Sequence, residues 1–200
     1  MEAIILAAGY SSRANSFKMT QPIEHKTVLE HTLSKFDGIC TRVIVVAGFQ
    51  ADNIAKEIER MNWKDKYSFQ IDVVMNADFS QGMFSSIQTG CKEVMAPYFF
   101  ITPGDCPLVK KETVHLLSEK PGHVVIPSFN YKGGHPILLS GEVKQRILDT
   151  NPESNLRQVL SYYEKNYINV DDLGVIMDID TPLDFQYAKK YYQQHFLNTY

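Results

Sequence analysis

Apolar residues in this chain fall in short blocks separated by helical periodicities. Ala3 to Ala8 is a continuous apolar run that stops at Gly9. A run that short, bounded by glycine and small polar residues, predicts a buried strand ending in a tight turn. The runs Arg42–Ala47 (RVIVVA), Ile71–Met75 (IDVVM) and Tyr98–Thr102 (YFFIT) predict three more strands. Between them lie helical spacings. Val28, Leu29, Thr32, Leu33 and Phe36 mark a helix over 27–36, closed by Asp37-Gly38. Ile54, Ile58 and Met61 share one face of a helix over 51–61. Gln81 to Met95 reads as a loop feeding a helix through Ile87, Cys91 and Val94.

The second half is less regular. The pattern predicts a short helix over 113–118, a strand over 123–127, a Gly133-Gly134-His135-Pro136 turn and an apolar run over 137–139. Helices are expected over 142–148 and 152–163, with Pro152 suited to a first helical turn. Strands are expected over 167–170 and 175–179. Thr181-Pro182 then opens a last helix, with Phe185, Ala188, Tyr191 and Tyr192 on its apolar side.

Continuous apolar strands alternating with helices predict an α/β fold: a Rossmann-like three-layer sandwich with a mostly parallel central sheet covered on both faces. Ligands of such sheets bind outside the carboxyl ends of the strands. The turn after the first strand and the one after the fourth therefore share an edge. That makes the 9–18 loop and Asp105 candidate neighbours across ninety residues of chain.

Two hundred residues fit one domain over 1–200. The composition, 44% hydrophobic and 22% charged, is that of an ordinary water-soluble domain. A net charge of −3 argues against a nucleic-acid partner bound through a broad basic face. Cys40, Cys91 and Cys106 are widely spaced and odd in number, so neither a disulfide framework nor a zinc site is indicated. No signal peptide or membrane span is visible, and the expected location is the cytoplasm.

Three places could carry chemistry. After Gly9 come Ser11, Ser12, Arg13 and Lys18. Small residues let backbone amides approach a polyphosphate, and the two cations neutralise its oxygens; a plain strand-to-loop connection with solvated charges fits the same residues. Asp105 follows the fourth strand in Pro103-Gly104-Asp105-Cys106-Pro107. A carboxylate at so stiff a strand end suits a Mg²⁺ ligand, although aspartate serves equally as a turn or cap residue. Asp178 and Asp180 stand at another expected strand end, where alternation would turn both to one face. One could join Asp105 on a metal and the other cap the last helix. Paired acids with an Arg/Lys loop match Mg²⁺-assisted transfer at phosphorus.

Taken together, ILAAGYSSRANSFK, QGMFSSIQTG, PGDCP, GGHPILL and DIDTP resemble, in order and over nearly the whole chain, the nucleotidyltransferases that act on the molybdenum cofactor, in their molybdopterin cytidylyltransferase-like branch. That family has the nucleotide-diphospho-sugar transferase-like fold. The resemblance implies a Mg²⁺-dependent transfer of CMP from CTP to a phosphorylated acceptor, molybdenum-bound molybdopterin, with release of pyrophosphate. A molybdoenzyme or its chaperone is then the implied protein partner. Leu6, Ala7, Ala8, Gly9, Ser86 and Gly104 would bind the nucleotide. Arg13, Lys18 and Asp105 would be catalytic, with Asp105 and Asp180 on the metal. Gly134, His135 and Arg157 would face the acceptor. In the family, Ala-Ala-Gly at the first turn accompanies CTP and Ala-Gly-Gly accompanies GTP, so Ala8 implies cytidine.

Two departures stand out. Ala14-Asn15 replaces Met-Gly inside the loop, and Asn151-Pro152-Glu153-Ser154 replaces a Gly-Asp pair ahead of the Arg. The other readings of the same residues are a cytidylyltransferase for a phosphorylated sugar, alditol or choline, and a nucleotide-binding regulator without turnover.

Overall fold

The computed structural model describes residues 1–9 and 18–197. Its strands are β1 (Glu2–Ala7), β2 (Pro22–Ile23), β3 (Lys26–Thr27), β4 (Arg42–Ala47), β5 (Gln70–Met75), β6 (Tyr98–Pro103), β7 (Val124–Phe129), β8 (Lys132–Gly133), β9 (Ile137–Ser140) and β10 (Lys165–Asn169). The helices are α1 (Val28–Ser34), α2 (Ala51–Arg60), α3 (Trp63–Lys66), α4 (Met83–Glu93), α5 (Lys111–Ser118), α6 (Gly141–Asp149), α7 (Leu156–Leu160) and α8 (Pro182–Tyr192). The main sheet runs β10-β7-β9-β6-β1-β4-β5, with β8 paired to β7, while β2 and β3 form a small hairpin. Pairing is parallel between β1 and both β4 and β6, between β4 and β5, and between β7 and β10. β9 runs against its neighbours β6 and β7, and β8 runs against β7. The sheet is thus mostly parallel, as the blocks of apolar residues predict.

Strand alternation divides the interior into two layers. Ala3, Ile5 and Ala7 of β1 face one side with Val43, Val45 and Phe100, where Leu29 and Leu33 of α1, Ile54 and Ile58 of α2, and Val114 and Leu117 of α5 cover them. Ile4 and Leu6 face the other with Ile44, Val46, Phe99 and Ile101, under Phe84, Ile87 and Cys91 of α4 and Val143 and Ile147 of α6. Every residue of β1 is buried, the signature of a central strand covered on both faces. A third cluster seats Ala188 and Tyr191 of α8 on Ile23, Val28, Leu108 and Ile179.

Two expectations are corrected. Residues 175–179 form no strand: Leu173–Ile176 is a 3₁₀ turn and the chain then runs unpaired within the sheet sense to α8. Its backbone bonds go elsewhere, with the Ile179 N–H donating to the Asp105 carbonyl (3.1 Å) and the Val175 carbonyl accepting from the His135 N–H (2.7 Å). Helix in 152–163 is confined to α7, because Asn155 provides the cap by accepting from the Gln158 N–H at 2.9 Å. Residues 151–154 ahead of it form a turn closed by the Asn151 side chain on the Glu153 N–H (2.9 Å). Among the described residues no helix is long and apolar enough to cross a membrane.

Candidate active site

β1 and β6 lie side by side in parallel register, Leu6 opposite Pro103, so the turns leaving them emerge together at the carboxyl edge. The Gly104 N–H donates to the Leu6 carbonyl at 2.9 Å, and Thr32 of α1 donates its hydroxyl to the Gly104 carbonyl at 2.9 Å. Those bonds fix the backbone from which Asp105 projects. A cavity of about 330 Å³ opens above, lined by Leu6, Ala8, Gly9, Lys18, Met19, Phe79, Ser80, Gly82, Met83, Ser86, Pro103, Asp105 and Asp180.

On its floor the Lys18 ammonium contacts the Asp105 carboxylate and donates to Asp180 Oδ1 at 3.0 Å. Lys18 and Asp105 are each 9% exposed. Burial works against the Lys18 ammonium, but the Asp105 and Asp180 carboxylates outweigh it and raise its pKa above the ordinary lysine value. Burial raises the Asp105 carboxyl above the usual carboxylate range, against the pull of the Lys18 ammonium. Asp178 adds a further negative field at Asp105. Two carboxylates that converge on a single cationic centre, in a cavity with room for phosphate and water, form a hard-oxygen donor set suited to Mg²⁺. Among the described residues no cluster of three or more potential metal ligands occurs.

Asp180 owes its placement to the start of α8. Thr181 Oγ1 accepts from the Asp184 N–H at 3.2 Å, while Asp184 Oδ2 accepts from the Thr181 N–H at 2.7 Å and from the Asp180 N–H at 3.2 Å. This is a capping box with Pro182 in the first turn. The cap is thus Thr181 with Asp184, and neither Asp178 nor Asp180 serves it. On the opposite wall α4 begins at Gly82, whose φ of 101° is a conformation that favours glycine.

A second cavity, about 300 Å³, adjoins the first through shared Met83 and Pro103; Cys106, Lys132, Gly133, Gly134, His135, Val175 and Asp178 also line it. The chain passes so close here that a Cβ on Gly134 would lie 1.9 Å from the Val175 carbonyl oxygen. His135 Nδ1 is buried with no hydrogen-bond partner among the described residues. Burial holds the imidazole below the usual histidine range, against the pull of Asp105, so the ring is neutral.

Leu6, Ala8, Gly9, Lys18, Ser86, Asp105 and Asp180 thus share one cavity, and Gly134 and His135 line the next. Three expected residues stand apart. Ala7 points to the opposite face of the sheet, into the α1/α2 layer, as alternation requires between Leu6 and Ala8. Gly104 acts through its backbone and lines neither cavity. Arg157 is exposed on α7 and lines neither. Arg13, with Ser11 and Ser12, lies outside the described residues. Sequence reasoning missed Phe79 and Ser80, which no periodicity marks, and Asn76, whose only signal is a polar residue directly after an apolar strand.

The same fold recurs in solved structures of other proteins. A nucleotidyl transferase from Methanothermobacter superposes with a TM-score of 0.82 at 18% identity, covering 96% of this chain and 97% of that one. Rv0371C of Mycobacterium tuberculosis H37Rv, solved as a complex with manganese, gives 0.72 at 19% identity over 94% and 97% of the two chains. The chain itself belongs to the MobA-like NTP transferase domain family, whose model matches residues 3–167. It is a nucleotidyltransferase. The molybdenum cofactor cytidylyltransferase of Escherichia coli K12 is 29% identical to it over 197 residues, covering 97% of this chain and 98% of that protein.

Proposed function

We propose that this nucleotidyltransferase moves CMP from CTP to a phosphorylated pterin, molybdenum-bound molybdopterin, in a reaction assisted by Mg²⁺ and releasing pyrophosphate. The observation that carries this reading is the Lys18 ammonium seated between Asp105 and Asp180 on the floor of a nucleotide-sized cavity. The cytidylyltransferase relative, matched end to end, and the methyl group of Ala8 on the cavity wall support cytidine. Met83, Pro103 and Val175 give the neighbouring cavity an apolar wall, with Lys132 and His135 as polar groups, which suits a flat heterocycle bearing phosphate.

Transfer needs an acceptor phosphate oxygen in line with the α-phosphorus of CTP, forming one P–O bond as the bond to pyrophosphate breaks. That oxygen is already anionic at pH 7, so no protein nucleophile or general base is required. Asp105 and Asp180 would hold Mg²⁺, which when bound neutralises phosphate charge. Lys18 donates to phosphate oxygens and stabilises charge building toward the leaving group. Arg13 is assigned to the same phosphates.

Incubating the protein with Mg²⁺, each nucleoside triphosphate in turn and a panel of phosphorylated pterin, sugar, alditol and choline acceptors, with pyrophosphate assayed, tests this. Release with CTP and the pterin alone is the expected result. Release with GTP, or with a sugar or alditol phosphate instead, contradicts the substrate assignment.

A further inference from the structure

We propose that Asn76 is a positioning residue for nucleobase recognition: it holds the Ser86 hydroxyl as a hydrogen-bond donor aimed at a ring acceptor of the bound pyrimidine. Asn76 ends the edge of the apolar run of β5 and is only 2% exposed. Its backbone N–H continues the ladder to the Ala47 carbonyl at 2.8 Å. The side-chain carbonyl accepts from the Asp78 N–H at 3.0 Å. That bond fixes which end of the amide is oxygen and turns the NH₂ group toward α4. There its two protons go to Ser85 Oγ and Ser86 Oγ, both at 2.9 Å.

The two serines then differ. Ser85 passes its own proton to the Gly82 carbonyl at 2.8 Å or the Asp78 carbonyl at 3.0 Å. Ser86 accepts from Asn76, and among the described residues nothing accepts its proton. A hydroxyl has one donor, and a buried one left unmatched is unfavourable. Ser86 is 4% exposed and lines the first cavity, so its O–H is the donor available to a ligand there. A base that presents an unprotonated ring nitrogen takes this donor, whereas one that presents N–H can meet only the hydroxyl's remaining lone pair and leaves its proton unmatched, so it is disfavoured. Cytosine N3 is such an acceptor, whereas uracil carries a proton at N3. The inference rests on the cytidine reading above and assigns the discrimination between the two pyrimidines to the Asn76–Ser86 pair.

Asn76→Asp tests it with almost no change of shape. A carboxylate can only accept, so Ser86 must turn its proton toward position 76 and present lone pairs to the cavity. Equilibrium binding of CTP and UTP and steady-state kinetics are measured for wild type, Asn76→Asp, Ser86→Ala and the double variant, with thermal unfolding as the check on folding. Asn76→Asp is expected to weaken CTP by roughly tenfold, to lower the CTP/UTP preference, and to raise KM with little change in kcat. In the Ser86→Ala background it should leave the CTP/UTP ratio unaltered. Ser85→Ala, which removes the other half of the amide's pair, should lower Tm without moving that ratio. An unchanged ratio in folded Asn76→Asp, or a shift that persists without Ser86, overturns the proposal. Should Asn76→Asp not fold, Ser86→Ala decides alone: unaltered CTP/UTP discrimination there overturns it. A wild type that binds GTP most tightly overturns the cytidine reading and the N3 assignment with it. The Asn76–Ser86 coupling measured with GTP then decides the positioning role by itself.

Discussion

Lys18 and Asp105 stand 87 positions apart in the chain and share a charged contact on the cavity floor. Their meeting is a product of sheet topology. β1 and β6 are direct neighbours although β4 and β5 intervene in sequence, so the loops that follow them converge. Removing the ammonium leaves two carboxylates facing each other in a confined space. Lys18→Met is expected to lower kcat/KM by about 10²- to 10³-fold, the usual loss when a transition-state donor is removed. Because the Asp105 and Asp180 carboxylates raise the Lys18 pKa above the ordinary 10.5, the stability it contributes is fully present below that pH. It is lost as pH rises through the higher folded value. The difference in unfolding free energy between wild type and Lys18→Met should stay level from neutral pH to about 10 and shrink beyond it. A difference that vanishes near neutrality contradicts the ion-pair assignment.

Asp184 acts on the same cluster from behind. Its carboxylate caps α8 and also receives the Asp180 N–H, and the Thr181 hydroxyl and backbone bonds hold it below the usual carboxylate range. Asp184→Ala should cost about 1 kcal/mol of stability as a lost cap. It should also reduce turnover more than its distance from the cavity suggests, since Asp180 loses its backbone anchor. Urea unfolding combined with kcat measures both; lost stability with unaltered turnover would separate the cap from the site.

His31 makes stability depend on acid. The ring is 2% exposed, its Nε2 lies 2.8 Å from the Ile23 carbonyl oxygen and it packs edge-on against Tyr192. Burial pushes its pKa down from 6.5 to about 4. As pH falls through 6.5 the unfolded chain takes up the proton first, so stability is lost between 6.5 and about 4 and the loss then levels off. The full span corresponds to about 3 kcal/mol. His31→Gln should therefore narrow its stability deficit relative to wild type on going from pH 7 to pH 4.5. A constant deficit contradicts the buried neutral ring.

Gly134 is fixed by backbone, since a methyl group there would meet the Val175 carbonyl at 1.9 Å. Gly134→Ala must push the 173–176 turn away from β8. It should destabilise by more than about 2 kcal/mol, at the upper end for point substitutions, and open the second cavity. A shift in Tm of only a degree would mean the turn yields freely.

The parallel half of the fold was legible because buried strands write themselves as unbroken apolar runs; β1, β4 and β6 match theirs within a residue or two. The adjacency of β1 and β6 by itself places Asp105 beside the first turn. What failed was local. Residues 175–179 are as apolar as a strand, yet they pack on Leu108 and α8 with their backbone bonded to Asp105 and His135, a tertiary choice no periodicity records. Strand alternation turns the Ala7 side chain to the face opposite Leu6 and Ala8. Asn76 carried no motif, and only its burial with three side-chain hydrogen bonds reveals its place.

The central claim, that Asp105 belongs to the chemistry of nucleotidyl transfer and not to the scaffold, is tested most directly by pyrophosphate release from Asp105→Asn. The measurement is made beside wild type with CTP, Mg²⁺ and the phosphorylated pterin. The amide keeps the shape and removes the charge. Turnover should fall by more than about a hundredfold while the variant unfolds cooperatively near the wild-type temperature. Turnover within a few fold of wild type would contradict the account.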